Sequence, residues 1–241
     1  MQKAIKFKLF GKTAFFKKPE VNEYAYFTYN NIHKIALLGM LGSIIGLGGY
    51  NQQKENRYPE FYEKLKGLKI AIVPNKDLKG NYPKKIQTFN NSVGYASNEE
   101  GGNLIVREQW LENPSWTIYL YNDGMVEESI YNKLGEYLLQ RKTVYIPYLG
   151  KNDHPATITE VEEIELKKEK LDHIDSIFLE NIEIDDFDSV DELPYLVKEM
   201  QPIKLQEQYN FYEYENFIYT NYYLKDTIDG YKDGDVNLYF F

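Results

Sequence analysis

The sequence predicts an α+β fold: a ferredoxin-like N-terminal domain over residues 1–147, carrying a protruding β-hairpin at about 75–103, then a smaller β-rich domain over 148–241. Three observations lead there. The first half alternates between period-two and period-3.6 patterns in the order strand, helix, strand, strand, helix, strand. Residues 75–103 carry Asn, Lys, Gly, Pro and Ser with no strong helical pattern, which is too long for an ordinary connection. After Gly150 the chain turns to alternating aromatic and polar residues with acidic runs.

Residues 3–10 (KAIKFKLF) read as a strand, with Lys6 and Lys8 on one face and Ile5, Phe7 and Leu9 on the other. Gly11 to Ala14 breaks it, and Phe15 to Pro19 is a basic aromatic loop. Tyr29 to Tyr50 opens polar and basic, becomes an apolar helix, and ends in Gly46-Leu47-Gly48-Gly49. Asn30 or Asn31 is the expected N-cap and the terminal glycines are natural stops. Its apolar positions run around most of the circumference, which predicts a buried helix. Ala36, Gly39, Gly42 and Gly46 leave one face nearly free of side chains, expected to pack on the sheet of its own domain. A short helix from Pro59 to Lys66, strands at 68–73, 104–110 and 116–121, a helix at 126–139 and a strand at 143–146 complete the first domain. Beyond it, 156–166 alternates as a strand, and 209–224 is expected to form a hairpin with 236–241 across Asp229 to Gly234.

Cysteine is absent, which removes disulfides and thiolate metal sites and suits the cytosol. The N-terminus lacks the continuous apolar run of a signal peptide, and the longest apolar run falls short of the ~20 residues of a spanning helix, so a soluble intracellular protein is expected. Net charge is −9, but it is unevenly placed: residues 1–95 hold 16 Lys and Arg against 6 Asp and Glu, and the remainder 12 against 31. A polyanion-binding segment joined to an acidic one accounts for this, and so does a basic surface facing an acidic one within the molecule.

The glycine-rich helix is not a phosphate loop, because no Lys-Ser/Thr follows its glycines, and not a dinucleotide fingerprint, because the glycines lie within or after a helix. Gly39 to Gly42 matches a GXXG pattern but sits in an apolar helix instead of a polar loop. The three histidines, His33, His154 and His173, have no metal-ligand spacing, and no cofactor or metal is expected. Asp229 to Asp235 lacks the bidentate Glu of a calcium loop, with Phe240 at that position, and reads as a turn. The 185–192 run, rich in Asp, reads as a solvated loop or a docking surface for a basic protein. Tyr29, His33 and Lys34 offer the groups of a metal-independent ribonuclease, though a polar helix start that bonds locally or touches RNA is the simpler account. Lys12, Lys17, Lys18, Lys34, Lys76, Lys79, Lys84 and Lys85 suit phosphate contacts, and Phe16, Tyr29, Tyr82, Phe89 and Tyr95 suit base stacking. Surface lysines over an aromatic core explain the same residues without RNA.

A resemblance decides between these. The stretch TYNNIHKIALLGMLGSIIGLGGY, preceded by a strand and by Gly11, Ala14 and Phe16 in a G-x-x-A-x-F segment, resembles the N-terminal signature of the CRISPR-associated Cas-five family, of the RAMP superfamily. Pro147 to Ala156, with Tyr148-Leu149-Gly150-Lys151-Asn152 at its centre, is similar to that family's second recurrent segment, and both look closest to the type I-B branch. The resemblance covers roughly 1–50 and 144–157. It implies a ferredoxin-like subunit of a Cascade surveillance complex that holds the 5′ handle of the CRISPR RNA, with 75–103 as a thumb. Implied partners are Cas-seven backbone subunits, the large subunit, and target DNA through the complex. On that basis Lys12, Lys17, Lys18, Lys34, Lys84 and Lys85 are expected at phosphates and Tyr29, His33, Phe89 and Tyr95 at bases or sugars, with Phe16, Asn30 and Tyr82 among the expected RNA-binding residues. The type I-C branch cleaves precursor RNA with a Tyr, a Lys and a His, but no histidine lies between His33 and His154 here, so a binding role without catalysis is expected.

Overall fold

The computed structural model describes residues 2–20, 24–75, 80–191 and 193–241; Lys76 and Lys79 lie outside them. In chain order the elements are β1 (Gln2–Phe10), β2 (Thr13–Ala14), α1 (Lys34–Ile45), α2 (Glu60–Leu65), β3 (Lys69–Pro74), β4 (Lys84–Asn90), β5 (Ile105–Glu112), β6 (Ser115–Tyr121) and α3 (Glu128–Leu139). They continue as β7 (Thr157–Leu171), β8 (Phe178–Leu179), β9 (Ile184–Ser189), β10 (Leu196–Leu205), β11 (Tyr212–Thr220), β12 (Tyr222–Leu224), β13 (Ile228–Asp233) and β14 (Val236–Leu238). Strands predominate over helices, and the main sheet has six strands in the order β14-β13-β7-β1-β6-β3, all antiparallel.

β1 is central because its alternation serves two layers. Ile5, Phe7 and Leu9 are buried in the core under the helices, while Lys6 reaches Asp233 (2.8 Å) and Glu162 (3.2 Å) on the opposite face. Ile70, Ile72, Trp116, Ile118 and Leu120 from β3 and β6 extend the same apolar face. α1 lies in that core with α2, α3 and β10 packed around it, so nearly every side chain from Ile35 to Ile45 is buried, as an apolar circumference requires. Each of its large aliphatic side chains is worth roughly 1.5–3 kcal/mol of burial. The helix ends at Gly46 (φ 83°), whose N–H returns to Gly42 and Ser43 carbonyls, with Leu47 N–H on Gly42 O at 2.9 Å.

Several sequence expectations need correction. The N-cap of α1 is His33, not Asn30 or Asn31, because those two residues are bound elsewhere. The glycine face of α1 meets α2 instead of the sheet: a Cβ on Gly42 would lie 2.5 Å from the Phe61 Cβ. Residues 143–146 form no strand. Val144 and Tyr145 give their N–H groups to the Ile44 and Ser43 carbonyls, finishing the end of α1, and the strand beside β1 is β7. The hairpin expected within 75–103 is made by β4 and β5, so it spans 84–112. β11 pairs with β10 and β8, while β13 and β14 form their own hairpin around Gly234 (φ 58°). Asp233 in that hairpin accepts from Lys6 and the Tyr119 hydroxyl (3.1 Å). The boundary drawn at 147 does not divide the molecule, since β7, β13 and β14 complete the sheet begun by β1, β3 and β6. Among the described residues no helix is long and apolar enough to cross a membrane.

Candidate nucleic-acid interface

The two segments that carry the family resemblance are far apart in the sequence and meet in space. Phe15 N–H donates to Leu149 O (3.1 Å), Thr13 Oγ1 and His154 Nδ1 are 2.7 Å apart, and Gly150 (φ 90°) sits where any Cβ would run into the Phe15 carbonyl. Gly11 is equally hemmed in by Leu149 and the Pro155 carbonyl. β2, at this junction, pairs with the end of β5 through Thr13↔Glu112 and Ala14↔Leu111, so the root of the β4–β5 hairpin is fixed to it. The chain then runs out and back: Lys18 N–H bonds Phe27 O, and Tyr29 N–H bonds Phe16 O (2.9 Å). The returning limb is tied to the hairpin by Tyr26 N–H on Arg107 O and Gln109 N–H on Tyr26 O, both 2.9 Å.

This framework sorts the expected contacts by exposure. Phe16, Tyr29, Asn30, His33, Lys34 and Tyr82 are buried. The His33 ring lies edge-on to Phe16, Tyr29 and Tyr212, and its Nδ1 accepts the Ala36 N–H (3.3 Å). Burial pushes its pKa down to about 3, so it is neutral. Lys34 reaches the Phe241 carbonyl oxygen (3.0 Å), and burial, helped by Lys69 and Lys204, lowers it to about 8. Burial likewise raises the Tyr29 phenol. Tyr82 donates its hydroxyl to Ser115 O and stacks edge-on to Trp116. These rings are buried, so the aromatic pattern that suggests stacking also serves the core. The Tyr29, His33, Lys34 trio does not present an open acid–base pair: two of its groups are committed to a cap and a carbonyl.

The exposed or half-buried members gather on the hairpin and its root. On one face Lys85 lies over Trp110 (6.0 Å), Phe89 is beside Trp110 (6.5 Å between ring centres), and Lys151 lies 5.5 Å from the Phe89 ring. Glu108, buried beneath, accepts from Lys151 and the Trp110 indole, each at 2.9 Å, and so fixes both. Lys85 also pairs with Glu112 (3.4 Å). Tyr95, in the hairpin's connecting loop, is 79% exposed, and Lys12 is exposed at the root. Nearer the returning limb, Lys17 lies 3.7 Å over Tyr26 and Arg107 5.2 Å from Tyr24. Lys18 pairs with Glu199 (3.3 Å), and Lys84 donates to Asn30 Oδ1 (2.7 Å).

Sequence reasoning missed Tyr24, Tyr26, Arg107, Trp110, Lys151 and Glu199. Lys151 lies within the second family-like segment, and Tyr24 and Tyr26 alternate like a strand, so these had a local signal; Glu199 comes from β10 and had none. Part of the charge asymmetry proves internal, since Lys6, Lys8, Lys18 and Arg57 all pair with acids beyond residue 95.

No protein-family model matches the sequence, and no curated protein matches it. Among solved structures the chain is similar to one from a "CRISPR RNA-guided surveillance complex", at TM-score 0.55 and 11% identity, covering 92% of this chain and 90% of that one. It is similar also to a CRISPR protein from Archaeoglobus fulgidus, at TM-score 0.53 and 11% identity, covering 98% and 97%. At this identity the likeness is one of fold, and it runs nearly end to end.

Proposed function

We propose that this chain is an RNA-binding subunit of a CRISPR surveillance complex, of the Cas-five family and closest to type I-B, that holds the 5′ handle of the CRISPR RNA without cleaving it. The observation that carries the reading is the end-to-end fold likeness to a chain of such a complex, joined to two family-like segments that pack against each other at the hairpin root. The sheet order supports the ferredoxin-like reading: β1, α1, β3, β6, α3 and β7 follow the β-α-β-β-α-β succession, with β7-β1-β6-β3 adjacent. The β4–β5 hairpin takes the place of the thumb. Its lysines and half-buried rings combine phosphate neutralisation with stacking surface, the pairing that single-stranded RNA requires. Partners in this reading are Cas-seven backbone subunits, the large subunit, and target DNA through the complex, in the cytoplasm. The neutral, enclosed His33 favours binding over catalysis.

The test is handle-RNA binding as a function of salt. Lys84→Ala with Lys85→Ala should weaken binding and reduce the slope of log K against log salt by about one unit for each phosphate no longer neutralised. An unchanged slope removes these lysines from the interface. Specific cutting of repeat RNA in EDTA that disappears in His33→Ala would overturn the non-catalytic role.

A further inference from the structure

The carboxylate of Glu199 is held the way an RNA phosphate would be. Its two oxygens accept the same backbone N–H, that of Asn30, at 3.0 and 2.9 Å; Lys18 Nζ is 3.3 Å from one, and Gln201 Nε2 donates to the other at 2.8 Å. Lys84 stands alongside, with Nζ on Asn30 Oδ1 at 2.7 Å and on Asn81 Oδ1 at 3.4 Å. Asn30 itself is locked by its Nδ2 on Gly80 O, so the N–H is aimed by its own side chain. Burial lowers the Lys84 pKa, Glu199 opposes that, and Lys18 adds to it. Lys18 and a fixed N–H thus meet on one anion, and Lys84, held on Asn30, feels its charge. The Glu199 side chain, only 12% exposed, arrives from β10, which among the described residues is an edge strand of its three-stranded sheet. A carboxylate and a phosphodiester each bring one negative charge and two acceptor oxygens, and both suit fixed N–H and ammonium donors.

We infer that Asn30 N–H, Lys18 and Lys84 form a seat for one phosphodiester of single-stranded RNA, which Glu199 occupies in the unliganded chain and must vacate when RNA binds. The inference rests on the RNA-binding reading above and adds a control to it: Glu199 lowers affinity for the polyanion while keeping the seat ordered. Two lysines left facing each other without an anion would repel, and that gives the carboxylate its structural use.

The test uses the full-length chain, an eight-nucleotide single-stranded RNA and, separately, inorganic phosphate. Glu199→Gln keeps an acceptor for the Asn30 N–H and removes the charge. It should tighten RNA binding about tenfold at moderate salt and leave the salt slope unchanged, because the same phosphate fills the seat in both proteins. Adding Lys84→Ala to Glu199→Gln should cancel the gain. A gain with inorganic phosphate but none with RNA overturns the seat as an RNA site, and no gain with either overturns it altogether. Should Glu199→Gln fail to fold, the wild-type chain answers by NMR: RNA must shift the Asn30 amide resonance, and an unmoved Asn30 amide overturns the inference. Wild-type chain that binds no RNA defeats both this inference and the proposed function, whereas wild-type binding unchanged by Glu199→Gln defeats this inference alone.

Discussion

His33 accepts the Ala36 N–H through Nδ1, and that bond requires an unprotonated ring nitrogen. Its pKa is about 3 when folded against 6.5 for the free side chain, so between these values the unfolded chain binds a proton that the folded chain refuses. Stability is therefore full above pH 6.5 and declines as pH falls below it. From pH 7.5 to 5 the loss from this group is about 2 kcal/mol. His33→Asn retains a good capping residue without the titration and should flatten the profile by that amount in urea denaturation at the two pH values; parallel profiles would show that His33 is not the group responsible. The sequence offered a Tyr, a His and a Lys in six residues, which is enough to suggest chemistry and not enough to say whether water reaches them. Exposure depends on Tyr212 and Phe241, from the far end of the chain, and no local pattern carries that information. Lys85 and Phe89 were legible as basic and aromatic because both lie on a strand whose alternation leaves them half-buried.

Gly39 and Gly42, one helical turn apart, separate packing from propensity. At Gly42 an added methyl would strike the Phe61 Cβ at 2.5 Å, whereas at Gly39 the nearest neighbour is the Phe61 ring at 3.8 Å. Gly42→Ala should cost about 1–3 kcal/mol through overpacking. Gly39→Ala should be neutral or stabilising by up to about 1 kcal/mol, the helix propensity of Ala over Gly. Urea midpoints of the two variants decide it; equal destabilisation would mean that α2 does not seat against this face. The helix and its glycine face were readable from spacing alone. Its partner was not, since a side-chain-poor stripe fits a sheet or another helix equally well. The same limit explains the strands. Alternation marked 209–224 as β structure, but it does not specify a neighbour, and pairing with β10 instead of β14 follows from the register of long-range contacts. Residues 143–146 carry a strand composition yet spend their backbone donors on the end of α1, a role that β propensity does not foresee.

Across the whole molecule, the sheet order makes one unit of what composition divides in two. The acidic shift after Gly150 is real, but it tracks surface charge, while β7 lies hydrogen-bonded along β1 from Gln2↔Leu166 to Phe10↔Thr157. A fragment ending at residue 147 would leave β1 without one of its two ladders and would strip Leu166 and Leu238 from the apolar cluster they form with Ala4, Ala71 and Tyr119. Such a fragment should lack a cooperative thermal transition and a dispersed NMR spectrum; a well-folded 1–147 would refute the single-unit architecture. The placement of β1 has a consequence for biosynthesis as well. β1 is synthesised long before its second partner, Thr157–Leu171, a wait of roughly ten seconds or more at ordinary translation rates. Until then its edge is open to other chains. Slow translation across Thr157–Leu171 would prolong that interval, and ribosome-bound chaperones would find Ile5, Phe7 and Leu9 already in reach.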